Sequence, residues 1–213
     1  MAKCIITKLI DKCKSKTYHH GNLKEELLQE ALKIIHEEGV DAVTLQALGN
    51  KLGTSRSAIY RHFSSKSDLM DNVMIYGFES FDSRITPIFE LKDKDVVERL
   101  YLMGKEYLTF GINNPNLFRM LFGEKYRDLR EDNCDINDEE QAKGYHSLVS
   151  LIAEAQEKDI FKKDEDALLI TQTVHAMIHG LTILYIDGHI DIKDNIEKVF
   201  EVHYKIMTQG LMK

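Results

Sequence analysis

Only two prolines, Pro87 and Pro115, stand in the 213 residues of the chain, and this scarcity limits the fold more than any other feature. Proline ends or kinks a helix because it lacks the backbone N–H and clashes with the preceding turn. Long helices can therefore run almost unbroken, and Leu, Ile, Ala, Glu, Lys and Met supply residues that suit them. The expectation is an all-α fold, with 43% apolar residues to form its core. Cys4, Cys13 and Cys134 are odd in number and lack a paired short spacing, while Lys8 interrupts the apolar stretch near the N-terminus. These features predict no signal peptide and a reducing cytoplasm. Residues 168–186 contain His175, His179, Gln172 and three threonines. No membrane span is expected there, because a span needs roughly 18 apolar residues in succession.

The formal net charge of −7 hides an asymmetry. Residues 1–66 hold 11 Lys and Arg against 7 Asp and Glu, whereas the remainder holds 17 against 28. A basic head on an acidic body is the electrostatic footprint of a local nucleic-acid surface. Residues 1–18 contribute Lys3, Lys8, Lys12, Lys14 and Lys16 to it and read as a basic arm or an irregular helix, a choice that Ile5, Ile6, Leu9 and Ile10 leave open.

Beyond the arm, Asn22 and Glu25 have the spacing of a capping pair. Leu23, Leu27, Ala31, Ile34 and Ile35 then recur at helical spacing as far as Gly39. A short helix is predicted from Thr44 to Leu52, a break at Gly53-Thr54, and a third helix from Ser55 to Phe63. Ser65 and Asp68 open a long helix carrying Leu69, Val73, Tyr76, Phe78, Phe81 and Ile85 towards Pro87. Further helices are predicted over 93–113, 115–123, 137–158, 164–187 and 191–210, with Asp93, Asn114, Asn137 paired with Glu140, Asp164 and Asp191 as caps. Residues 123–136 read as a charged loop.

Two short helices joined by a glycine break form a helix-turn-helix, whose second helix enters the DNA major groove while the first braces it. Ile59 and Phe63, four apart, can face inward and leave Ser57, Ala58 and Arg61 outward, with Arg56, Tyr60 and His62 at the flanks. Small outward residues permit close approach, and arginine can contact guanine or phosphate.

Residues 22–74 resemble the tetracycline-repressor (TetR) family of bacterial regulators. The resemblance rests on Asp41-Ala42-Val43-Thr44-Leu45, Leu52-Gly53-Thr54-Ser55, Ile59-Tyr60-Arg61-His62-Phe63 and Ser65-Lys66-Ser67-Asp68-Leu69. It implies that Thr44, Ser55, Tyr60, His62 and Lys66 touch phosphates and that Gln46, Arg56, Ser57 and Arg61 read bases. Gly49 replaces the alanine usual in the bracing helix, and Thr54 the usual apolar residue after the turn. Glycine there is expected to weaken the helix by roughly 1 kcal/mol relative to alanine. Tyr18-His19-His20-Gly21, the segment from Asn114 to Gly123, and His179-Gly180-Leu181 also resemble the subgroup named for a Trp-His-Gly segment. Here the tryptophan is absent and His175 lies near its place.

The resemblance makes Phe81, Tyr107, Phe110 and Phe118 candidates to line a small-molecule effector cavity, with His175 or His179 as a polar anchor; Phe78, Tyr101, Phe122 and Met177 are further aromatic or soft neighbours. His175 and His179 have the i, i+4 spacing of a metal-binding pair, but no glutamate lies between them and no third ligand is evident. No metal or cofactor is expected. The helices over 164–187 and 191–210 are apolar on more than one face, so each needs partners on two sides, and a homodimer is expected through residues 164–210. The sequence thus predicts a basic arm (1–18), a DNA-binding head (19–66) and an effector-binding, dimerising body (67–213). A repressor of a double-stranded DNA operator fits best. A metal-assisted hydrolase using His175 and His179, or a non-specific architectural DNA-binding protein, are the alternatives.

Overall fold

Leu27, Leu28, Ala31, Ile34 and Ile35 are all buried on one face of α1 (Leu23–Glu38), as their spacing requires. The computed structural model describes residues 23–135, 137–138, 141–190 and 195–213. The basic arm, the segment from Tyr18 to Gly21, Cys4, Cys13 and the caps proposed at Asn22, Glu140 and Asp191 lie outside these residues. The described residues form ten α-helices and two short 3-10 turns, with one isolated β-bridge between Phe161 and Met212.

Helix α2 (Leu45–Leu52) starts on Thr44, whose hydroxyl accepts the Ala47 N–H at 3.0 Å. It ends on Gly53, which adopts the left-handed conformation at φ 63°, a region costly for any residue with a Cβ. Ser55 then caps α3 (Arg56–Ile59) by accepting the Ala58 N–H. This helix is shorter than the sequence predicts: beyond Ile59 the chain keeps hydrogen-bonded turns, with the N–H groups of His62 and Phe63 both donating to the Ile59 carbonyl. Ala58 also departs from expectation, being buried with Ile59 and Phe63. This single turn packs against α2, and the covered side takes in the small Ala58 side chain beside Ile59. At Gly49 an added Cβ would stand 3.0 Å from the Thr54 carbonyl oxygen, so the bend itself favours glycine and alanine is not a simple gain.

Ser65 caps α4 (Lys66–Phe89) by accepting the Asp68 N–H at 3.0 Å, and the Asp68 carboxylate turns back to the N–H and hydroxyl of Ser64. The 24 residues of α4 run from head to body. The body adds α5 (Val96–Asn113), α6 (Pro115–Phe122), α7 (Arg127–Asn133), α8 (Lys143–Glu157), α9 (Ala167–Ile186) and α10 (Ile196–Leu211). Helix α9 packs on α5 and α8, while α4 packs on α5, α7 and α8. The apolar cores of head and body form one continuous cluster.

Several boundaries differ from the sequence reading. Asp95 and Asp166 cap α5 and α9 in place of Asp93 and Asp164, because a turn precedes each helix. Helix α8 begins at Lys143, since Asn137 is tied to Asp135 instead of capping it. Residues 124–133 are helical and not a loop: Arg127 and Glu131, four apart, pair at 2.8 Å on α7. Arg130 donates to the Leu121 and Gly123 carbonyls, and Asn133 to Asp71, fixing the segment to α6 and α4. Helix α9 is long and apolar enough by composition alone to cross a membrane, as core helices also can be. Its buried Ile170, Thr171, Val174, Ile178, Leu181 and Thr182 instead face the bundle.

Phe63 is fully buried where the end of the recognition turn meets α1 and α4. Phe63→Ala is expected to lower unfolding free energy by about 3–5 kcal/mol, read from denaturant midpoints. A loss below about 1 kcal/mol would show that this joint is not close-packed.

Candidate nucleic-acid interface and internal cavity

The head residues proposed to contact DNA are accessible to solvent. Gln46, Ser55, Arg56, Ser57, Tyr60, Arg61, His62 and Lys66 are exposed, and Thr44 is half-buried by its capping role. The inward residues Leu48, Ile59 and Phe63 are fully buried, so the outer side chains are held by a closed core. Arg56 donates to the Tyr60 hydroxyl at 3.1 Å and its guanidinium lies 5.4 Å from the Tyr60 ring centre. Ser55 and Ser57 hydroxyls share a 2.9 Å hydrogen bond. Ordering these groups before binding lowers the entropy lost on contact with a phosphate or base.

The body encloses a cavity of about 630 Å³, within the range of small-molecule sites. Phe81, Tyr107, His175 and His179, named from the sequence, reach its wall together with Phe78, Phe122 and Met103. Phe110 and Phe118 do not: they form the layer behind it. Phe110 packs against Phe81 with ring centres 5.0 Å apart, and Phe118 stacks on His179 at 5.6 Å. Of the other neighbours considered, Tyr101 packs against Phe200 and Tyr204 away from the cavity, and Met177 is not on the wall. Asp82, Arg130, Cys134, Tyr145 and Leu148 also line it and were missed in the sequence, since which side chains share a cavity depends on how segments distant along the chain meet. The Arg127–Glu131 spacing was the available sign that residues beyond Gly123 form a helix and could place Arg130.

His175 and His179 do not face a third ligand. The Tyr107 hydroxyl lies 3.3 Å from His175 Nε2 and 3.0 Å from His179 Nδ1, so one phenol bridges both rings. No group of three His, Cys, Asp or Glu arranged to hold a metal occurs among the described residues. Burial, assisted by the neighbouring His179, lowers the His175 pKa to about 4. Burial also lowers that of His179, helped by Arg130, and raises that of the Tyr107 hydroxyl. At neutral pH the triad is uncharged and offers hydrogen bonds to a guest. Across the cavity, burial raises the Asp82 carboxyl to about 6 against a weak hydrogen bond from Gly144 N–H at 3.3 Å and the field of Lys143.

Two family models match the chain: "Bacterial regulatory proteins, tetR family" over residues 27–73, and "Tetracyclin repressor-like, C-terminal domain" over 100–207. The second covers half of the chain and includes α9. The chain belongs to the TetR family of bacterial regulatory proteins. Among similar proteins, nucleoid occlusion factor SlmA of Vibrio cholerae is 36% identical over 103 residues, covering 48% of this chain and 52% of that one. The chain thus spans about half the length of the curated relatives it matches. A Rhodococcus sp. RHA1 protein of unknown function superposes with a TM-score of 0.75 at 22% identity, over 93% of this chain and 100% of that one. FadR of Bacillus subtilis, solved in complex with stearoyl-CoA, superposes at 0.67 and 16% identity, over 88% and 98%. These structural likenesses establish the fold.

Opposite pKa shifts of His175 and Asp82 generate a signed prediction. As pH falls from about 6.5 to 4, the unfolded chain takes up a proton that folded His175 refuses, so this group lowers stability. Between about 6 and 3.8, folded Asp82 holds a proton more tightly than the unfolded chain does, so it raises stability. Asp82→Asn should steepen the fall of the melting midpoint on acidification from pH 6 to 4, and His175→Gln should flatten it. Equal pH profiles for both variants would refute the assignment.

Proposed function

We propose that the chain is a sequence-specific DNA-binding transcription regulator, acting as a homodimeric repressor in the cytoplasm and released from its operator by a small-molecule effector. The observation that carries this reading is the exposed set of Arg56, Ser57, Tyr60, Arg61, His62 and Lys66 held over a buried Ile59–Phe63 core directly after the Gly53 turn. Thr44, Ser55, Tyr60, His62 and Lys66 would anchor phosphates, and Gln46, Arg56, Ser57 and Arg61 would read base edges. No catalytic role is assigned to any residue: the His175–His179 pair is engaged by Tyr107 and reads as a polar anchor for the effector. Phe81, Tyr107, His175 and His179 would touch that effector directly, with Phe110 and Phe118 supporting them.

The dimer surface would be formed by α9 and α10. Leu168, Leu169, Leu184, Val202 and Ile206 are exposed there, and Ile206 retains 61% of its surface. A row of large apolar side chains on two neighbouring helices is costly to leave in water and suits a self-complementary contact.

The route from cavity to DNA would run through α6. Phe122 stands on the cavity wall at one end of this helix. At its N-terminal end Asn116 donates to the His36 carbonyl of α1, and shortly past Phe122 Lys125 pairs with Asp41 in the head. A ligand that moves Phe122 would tilt α1 and change the separation of the two recognition helices. A coupling of about 1–3 kcal/mol would shift operator affinity roughly 5- to 150-fold.

Selection of genomic DNA fragments by the purified protein should recover a pseudo-palindrome. Lys66→Ala and Tyr60→Phe are expected to weaken binding to every sequence, the former reducing the salt slope by about one unit, whereas Arg61→Ala and Ser57→Ala alter base preference. The Tyr60 change also frees Arg56. Binding indifferent to sequence would favour an architectural role instead. Separately, Ile206→Glu should yield monomers by light scattering and weaken operator binding, because a buried unpaired charge opposes association. An intact dimer would remove Ile206 from the interface.

A further inference from the structure

The cavity is chemically lopsided, and its charged groups are not equally engaged. Arg130, the one Lys or Arg on its wall among the described residues, donates through Nη1 to the Leu121 and Gly123 carbonyls at the C-terminal end of α6, where a positive charge is favoured. Glu131 is paired with Arg127, and Asp135 accepts the backbone and side-chain N–H groups of Asn137. The Cys134 thiol is held neutral by burial and by the nearby Asp82 carboxylate. Asp82 differs from all of these. Its carboxylate lines the cavity and, among the described residues, accepts one hydrogen bond, from Gly144, and has no cation within ion-pair distance; Lys143 acts on it through its field. A carboxylate so placed carries a desolvation cost that a guest cation would offset.

The remaining wall suits the same guest. Phe78, Phe81, Phe122, Tyr107 and Tyr145 present rings to one space, and ring faces attract cations while receiving an apolar body. Phe81 is edge-on to both Tyr107 and Phe122, with ring centres 5.5 and 5.4 Å away, so the rings enclose a corner instead of a flat wall. The neutral His175–Tyr107–His179 group adds hydrogen-bonding capacity without adding positive charge.

We propose that the cavity selects an amphipathic cation, an amine carried on an apolar body, with its nitrogen at Asp82 and its body among Phe81, Phe122 and Tyr145. This proposal rests on the reading of the cavity as an effector site and specifies the class of effector. A carboxylate guest is disfavoured beside Asp82, which would repel it.

The test is calorimetric titration of the full chain with three guests that share one body: phenylbutylamine, phenylbutanol and phenylbutyrate. The amine is expected to bind about tenfold or more tightly than either of the others, as a charge-assisted hydrogen bond allows. Asp82→Asn, which keeps an acceptor for the Gly144 N–H, should abolish that advantage and bring the amine down to the affinity of phenylbutanol. Should this variant fail to fold, the ranking of the three guests on the unmodified protein decides alone. Equal or tighter binding of phenylbutyrate or phenylbutanol overturns the cation proposal while preserving an effector cavity. Binding of none overturns the proposal and counts against the cavity reading as well.

Discussion

One continuous helix must satisfy two cores. Leu69, Val73 and Met74 of α4 close the head, while Phe81 and Ile85, two to four turns on, help to close the body around the cavity. Because both ends are buried, the head cannot rotate about α4 without exposing apolar surface at roughly 25 cal/mol for each Å². The orientation of the exposed recognition residues is therefore set by packing that begins some 20 residues away from them. A regulator needs this rigidity, since small changes inside the body reach the head only if the connection does not absorb them.

Helix α6 supplies the second connection. It is short and amphipathic, starts at Pro115 where the missing N–H costs nothing, and puts Leu117, Phe118, Met120 and Leu121 into the core. Arg119 reaches the Asp187 carboxylate and the Ile186 carbonyl at the C-terminal end of α9, so α6 joins the head to the helix that bears His175 and His179. Most of these polar links are exposed and contribute little to stability on their own. Their value is geometric, in defining how α6, α9 and α1 sit against one another.

The cavity combines groups with opposite demands. Its aromatic corner favours apolar guests, its histidines are kept neutral, and its Asp82 carboxylate is left with one weak partner. Such a constellation is costly to the empty fold, and a site that retains unpaired polarity is a common signature of binding. Helix α7 is essential to it, because this helix brings Arg130 to the wall and covers the space between α4 and α6.

The sequence by itself determined the helical class, the glycine turn at Gly53, the helix starts at Ser55 and Ser65, and the outward placement of Ser57 and Arg61 on the head. Those features are local: periodicity, capping and left-handed backbone depend on residues within one or two turns. Phe81, Tyr107, His175 and His179 were also legible as candidates. Only the tertiary structure decided that Ala58 faces inward, that residues beyond Gly123 form a helix, that Phe110 and Phe118 stand behind the cavity, and that Asp82, Arg130 and Tyr145 line it. These depend on which faces of distant helices meet, for example Asp82 of α4 against Gly144 of α8, 62 positions apart. Local spacing assigns a residue to a face of its own helix, but the identity of what covers that face is fixed by how the helices share one buried volume.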